Sequence, residues 1–255
     1  MIFSWPATGF AWGVLGHRVV GGIADKYLTA QTSTELKKLL GNESLAMASN
    51  WADFIKSDRN YDYLDRWHYI NLPASMTRQD LLRHLNTDTG ANLYSKTNFL
   101  IKQLRNAKLS RHQRIFYLKL LIHLVGDAHQ PMHTARPGDR GGNNVKVYWF
   151  NAATNLHRVW DEHLVEFQQL SYTEYVAAIN FPSVQEVKSW QRQPLSEWIY
   201  ESYQVAEMLY SDLKSGDRLS YSYNYKHVET MNRQLLKGGI RLAGILNDVF
   251  GKTVS

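Results

Sequence analysis

The stretch His123-Leu-Val-Gly-Asp127-Ala-His129-Gln-Pro-Met-His133 restricts this chain more than any other. On a helix, residues i and i+4 lie on one face about a turn apart, so His123 and Asp127 point the same way. Ser110 can cap a helix running to Asp127, with Ile115, Leu118, Ile122 and Val125 along one face. Pro131 stops that helix, and His133 enters from the loop beyond it. A second pair at the same spacing, His157 and Asp161, stands on another predicted helix, and Asp53 and His68 lie upstream. Each piece alone has a plain structural reading. A lone His-x-x-x-Asp pair is a hydrogen-bonding or capping pair, Asp53 a solvated helix residue, and His68 a half-buried satisfied histidine. Together they point to a metal centre. His129 reads as structural, because a ligating role would crowd His133, and Gly141 and Gly142 read as a turn.

Composition narrows the chemistry. The 255 residues include no cysteine, so no disulfide holds the fold and any metal site uses nitrogen and oxygen ligands, a set Zn²⁺ accepts. Hydrophobic residues make up 44%, enough for a sizeable core, which excludes disorder as the main state. No run of about 18 apolar residues occurs, the length a membrane-crossing helix needs. The net charge of +6 favours anionic partners, although an ordinary basic surface gives the same balance. The 8 Trp, 15 Tyr and 9 Phe can supply stacking platforms as well as core.

The expected fold class is all-α: one compact helical domain from Trp12 onward, with one short β-hairpin. Helices are expected at 17–27, 33–40, 49–58, 78–84, 95–106, 110–127, 155–167, 194–210 and 227–250. A strand is expected at Val145–Phe150 with a turn over 151–155, and the tyrosines from Tyr221 to Tyr225 read as a connector. Residues 1–11 carry no charge, and Gly9-x-Ala11 has the small-x-small pattern of a leader-cleavage site, so they read as the remnant of a removed signal peptide. Nothing marks an oligomer interface, so a monomer is expected.

The segments WGVLGH, WADFIK, WHYIN, HLVGDAHQPMH, GGNN and NLHRVWD occur in an order and spacing that resembles the S-one/P-one nuclease family, from Trp12 to Asp161. RLAGILNDVF is similar to the family's last helix. The resemblance implies the fold of zinc-dependent phospholipase C and an enzyme with three zinc ions. That enzyme would hydrolyse single-stranded DNA and RNA to 5′-mononucleotides and act on 3′-nucleotides, through a hydroxide held between two zincs that attacks phosphorus in line. It further implies that Trp12 and His17 hold one ion, that Asp53, His68 and His123 hold a second with Asp127 bridging the two, and that His133, His157 and Asp161 hold the third. Asp53 and Lys56 are the implied catalytic pair, Lys56 touching the phosphate; Tyr69 is the implied stacking ring, with Asn71 and His163 in the base pocket. Ligation through the Trp12 amine requires removal of residues 1–11, hence export.

Two departures stand out. The fungal enzymes carry aspartate at Asn71 and asparagine at His163, which leaves base preference open. The fungal and plant enzymes also use disulfides, and this chain has none, which suggests a bacterial-type member, secreted or periplasmic. Two other readings compete: a phospholipase C on the same fold, and a non-catalytic protein that binds nucleic acid or zinc. The basic balance, Lys56 and the Trp67-His68-Tyr69 segment favour the nuclease, with no membrane partner expected.

Overall fold

A computed structural model describes residues 12–251, so the leader expectation for residues 1–11 lies outside the described residues. The helices are α1 (Val14–Lys26), α2 (Ala30–Leu40), α3 (Leu45–Ala48), α4 (Trp51–Phe54), α5 (Arg78–Thr87), α6 (Leu93–Leu104), α7 (Arg111–Asp127), α8 (Leu156–Arg158), α9 (Leu164–Glu166), α10 (Tyr172–Ile179), α11 (Val184–Arg192), α12 (Leu195–Asp212) and α13 (Tyr221–Phe250). The all-α expectation holds. No helix among the described residues is long and apolar enough to cross a membrane.

Helix α13 is the longest element, and α1, α7 and α11 pack against it. Helix α7 begins as expected. Ser110 accepts from the Gln113 amide while Gln113 returns a bond to the Ser110 backbone, a capping box that satisfies two otherwise free donors. Its second half is buried nearly all round, with every residue from Leu120 to Asp127 in the interior. A helix buried on all sides carries its polar residues into the core, where each must be paired or ligated.

Strands β1 (Lys146–Trp149) and β2 (Ala152–Asn155) form the expected hairpin, in register from Lys146↔Asn155 to Trp149↔Ala152. The turn sits at Phe150–Asn151, both with positive φ, rather than over 151–155. The two positive φ values match the twist of the strands that they join. A third strand, β3 (Arg218–Leu219), pairs parallel to β1 and makes a three-stranded sheet in place of a lone hairpin.

Other elements differ from expectation. The helix expected at 49–58 is only α4, followed by a 3-10 turn at Ile55–Ser57 and a longer 3-10 run at Arg59–Trp67. Helix α2 starts at Ala30 because the Thr29 side chain caps it. The tyrosine connector is not a connector: Tyr221–Tyr225 forms the first turns of α13, with Tyr223 buried and Tyr221 and Tyr225 exposed. Helix 155–167 is present, but its middle widens into a π-helical turn at Val159–His163.

Candidate metal centre

Three groups of buried ligand-type side chains lie within the domain, their candidate ligand atoms within 4.8 Å of one another in each: His17, Asp53 and His123; His68, His123 and Asp127; His133, His157 and Asp161. His17 comes from α1, Asp53 from α4, His123 and Asp127 from the end of α7, and His157 and Asp161 from α8 and the π turn. His68 follows the 3-10 run, and His133 stands in the short 3-10 turn after Pro131. Every His and Asp expected to bind metal is therefore in one of the groups, although Asp53 and His123 are gathered with His17, and His68 with His123 and Asp127, where the expected sets kept His17 apart and placed Asp53 with His68.

Asp127 joins them. One carboxylate oxygen lies 3.0 Å from His68 Nδ1 and 3.4 Å from His123 Nε2, while the other is 3.4 Å from His17 Nε2 and 3.8 Å from His133 Nδ1. The rings of His17 and His123 stack with centroids 3.9 Å apart. Gly126 permits that approach, since a Cβ there would stand 2.7 Å from His17 Nδ1.

Backbone carbonyls orient the histidines, which sequence reasoning did not identify. His123 Nδ1 donates to Ser49 O at 2.7 Å, His133 Nδ1 to His68 O at 2.6 Å, and His157 Nδ1 to Gly141 O at 2.7 Å. A carbonyl only accepts, so in each neutral ring the proton sits on Nδ1 and Nε2 is left with a lone pair. For His123 and His157 that nitrogen faces a carboxylate, 3.4 Å from Asp127 and 2.9 Å from Asp161. An outer hydrogen bond that fixes the tautomer is the usual support of a metal-bound histidine. The turn read at Gly141 therefore has a second task. Its φ is +64°, and a Cβ there would meet Met132 O at 2.6 Å, so glycine lets the carbonyl reach His157.

Electrostatics agree. Burial pushes the His123 imidazole down to about 3, against the pull of Asp127, and burial also lowers His133. Burial disfavours ionised Asp127 and Asp53, yet the neighbouring histidines, and Lys56 beside Asp53, hold both carboxyls well below their ordinary range. Buried imidazoles and carboxylates packed this closely need a shared positive charge, which a proton or a metal ion supplies. His17 Nδ1 and Nε2, His68 Nε2, His133 Nε2 and Asp127 Oδ1 have no hydrogen-bond partner despite full burial of those atoms. Orphaned lone pairs of this kind fit metal ions.

The remaining expected residues divide. Lys56 Nζ binds Asp53 Oδ1 at 2.6 Å, with a fifth of its side chain exposed at the rim. Ile70 and Leu72 donate their amides to His133 O and Ala135 O and are buried, so alternation leaves Tyr69 and Asn71 exposed together on the opposite face. His163 is not brought to them by any hydrogen bond or ring contact. It stacks on Trp149 at 6.0 Å and pairs with Thr154 Oγ1 at 3.2 Å. Trp12 is fully buried, and the next amide, Gly13 N, donates to the Asp161 carbonyl at 2.7 Å. His129 belongs to none of the groups: Nδ1 donates to Val125 O, and Nε2 accepts from buried Arg241.

The family described as S1/P1 Nuclease matches residues 12–251. The chain is similar to Endonuclease 3 of Arabidopsis thaliana, 32% identical with 94% of this chain and 89% of the relative aligned. It is similar to Nuclease P1 of Penicillium citrinum, 26% identical over 96% of this chain and all of the relative. Among solved structures, the alpha-toxin of Clostridium perfringens superposes with a TM-score of 0.51 at 16% identity, covering 98% of this chain and 67% of the toxin. That likeness is one of fold.

Proposed function

The chain belongs to the S1/P1 nuclease family, and on that premise we propose that it is a zinc-dependent phosphodiesterase cutting single-stranded DNA and RNA to 5′-mononucleotides and removing phosphate from 3′-nucleotides. The observation that carries this reading is the gathering of buried, tautomer-fixed histidines and ionised aspartates into adjoining groups. Imidazole and carboxylate with no thiolate suit zinc. Trp12 and His17 would hold one ion, Asp53, His68 and His123 a second, with Asp127 between them, and His133, His157 and Asp161 the third. When bound, such ions lower the pKa of water and stabilise charge on the phosphoryl and leaving oxygens.

The chain's own residues do the rest. Asp53 and His157 are the most exposed of the ligand residues, each at 7%, so substrate reaches the centre along their edge. Lys56, held by Asp53 at that edge, presents an ammonium to the phosphate and stabilises charge that grows there. Tyr69 offers a ring face to a base, and Asn71 beside it offers one donor and one acceptor to the base edge. A duplex hides base faces, so this arrangement favours single strands. His163 is proposed as a second base contact. We also propose that the chain acts as a monomer, away from membranes, and that residues 1–11 are removed on export to the periplasm or medium.

The test is release of 5′-mononucleotides from single-stranded DNA by protein beginning at Trp12. Release that a chelator abolishes and Zn²⁺ restores is the expected result. No release by zinc-loaded protein overturns the reading, and turnover of phosphatidylcholine in its place would assign the fold to lipid chemistry.

A further inference from the structure

Gln130 lies in the turn between Asp127 and His133, fully buried, and both ends of its amide are in use. Its oxygen accepts from the Met132 backbone amide, and its nitrogen donates to Asp161 Oδ1. The partners settle which end is which: Met132 N–H can only donate and an ionised carboxylate can only accept, so a flipped amide would lose both bonds. Asp161 Oδ2 is left beside His157 Nε2, at 2.9 Å. The side chain thus ties the loop that carries His133 to the π turn that carries Asp161.

We propose that Gln130 is a positioning residue for the third group: it pins Asp161 Oδ1, which stands 3.9 Å from His133 Nε2, and so commits Oδ2, beside His157, to the ion that the three residues share. This rests on the metal-centre reading above. Unaided, a carboxylate in a wide π turn can rotate about its last torsion and present either oxygen or both. A buried amide hydrogen bond removes that freedom, and outer partners of this type change metal affinity by about 10- to 100-fold. The same amide braces the turn through Met132, so the two tasks must be separated. Gln130→Glu keeps an acceptor for Met132 N–H and loses the donor to Asp161. Gln130→Met loses both.

The experiment is equilibrium titration of the metal-free protein beginning at Trp12 with Zn²⁺, reading ions bound per chain, with Co²⁺ absorption as a second readout of ligand geometry. Both variants should bind one of the three ions about 10- to 100-fold less tightly than the parent, with an altered Co²⁺ spectrum for that ion only. The other two should bind as before, although the buried carboxylate set against Asp161 lowers the thermal midpoint of the metal-free Gln130→Glu protein. Parent-like Zn²⁺ binding by Gln130→Glu would overturn the inference and leave Gln130 as a brace for Met132. So would equal weakening of all three ions, which is the mark of a collapsed loop. If the parent protein itself binds no Zn²⁺, the metal-centre reading fails instead.

Discussion

A lysine bonded to a carboxylate of the candidate metal centre can serve either partner. Lys56 sits on Asp53 at 2.6 Å, but Asp53 also faces His123 at 3.7 Å and lies in the first metal group. Asp53 therefore keeps its charge without the lysine, while the lysine depends on Asp53 for its place. Replacing Lys56 by Met is expected to lower kcat on single-stranded DNA by about 10²- to 10³-fold, the cost of losing one donor to developing charge. Zinc content per chain should stay at the parent value, and its measurement separates loss of chemistry from loss of metal. Gly141 makes the opposite prediction. Gly141→Ala places a side chain at φ +64° and against Met132 O, so the carbonyl holding His157 must move. Backbone strain of this type costs about 1–3 kcal/mol. Zinc titration should show the third ion weakened, and a thermal scan a lower midpoint.

Helix α7 is both the clearest element in the sequence and the one that carries the most chemistry. Its cap and its ligands stand at opposite ends, Ser110 before the first turn and His123 and Asp127 in the last. Ser110→Ala should therefore cost about 1 kcal/mol. In a domain of this size that is a fall of about 2–4 °C in thermal midpoint. Activity per folded molecule at low temperature should not change, which parallel melting and turnover assays would establish. The elements that the sequence concealed share one cause, distant partners that override local pattern. Tyr221–Tyr225 has no strong helix signal, yet it is helical because Tyr223 accepts from Trp160 Nε1 and Asn224 from Gln168. Strand β3 exists only through its pairing with β1, some seventy residues away in the chain, a span no local signal reports. Residues 49–58 curl into short turns where Asp53 and the Ser49 carbonyl both face His123. The ligand types themselves were plain in the sequence. The carbonyls and the amide that orient them were not, because a backbone oxygen leaves no mark in a sequence and Gln130 has no spacing pattern of its own.

Across the whole molecule, the buried titratable groups act mostly in one direction. His123 is held at about 3 in the fold against 6.5, and burial holds His227 at about 4; His129 and His133 are lowered too. Between those values the unfolded chain binds more protons than the folded one, so stability falls as pH drops below about 6.5. Asp53 and Asp127, held below 3.8, add the same sign at more acid pH. Asp25, which burial raises to about 6, and Glu166, which burial also raises, oppose the trend. The metal-free protein should thus melt at progressively lower temperature from about pH 7 to about pH 4. At neutral pH, an ion supplied at about 1,000 times its Kd should add about 4 kcal/mol, so chelation should lower the melting midpoint by several degrees for each ion lost. Calorimetry with and without chelator across that pH range checks both.

The candidate ligands are gathered from α1, α4, the end of the 3-10 run, α7, the turn after Pro131, α8 and the π turn, and they run along the chain from His17 to Asp161. A ribosome that has synthesised as far as Leu104 has made His17, Asp53 and His68, but not the helix that joins them. No nascent fragment that ends before Asp161 can assemble the centre, and until that point the growing chain poses no danger to the messenger RNA that encodes it.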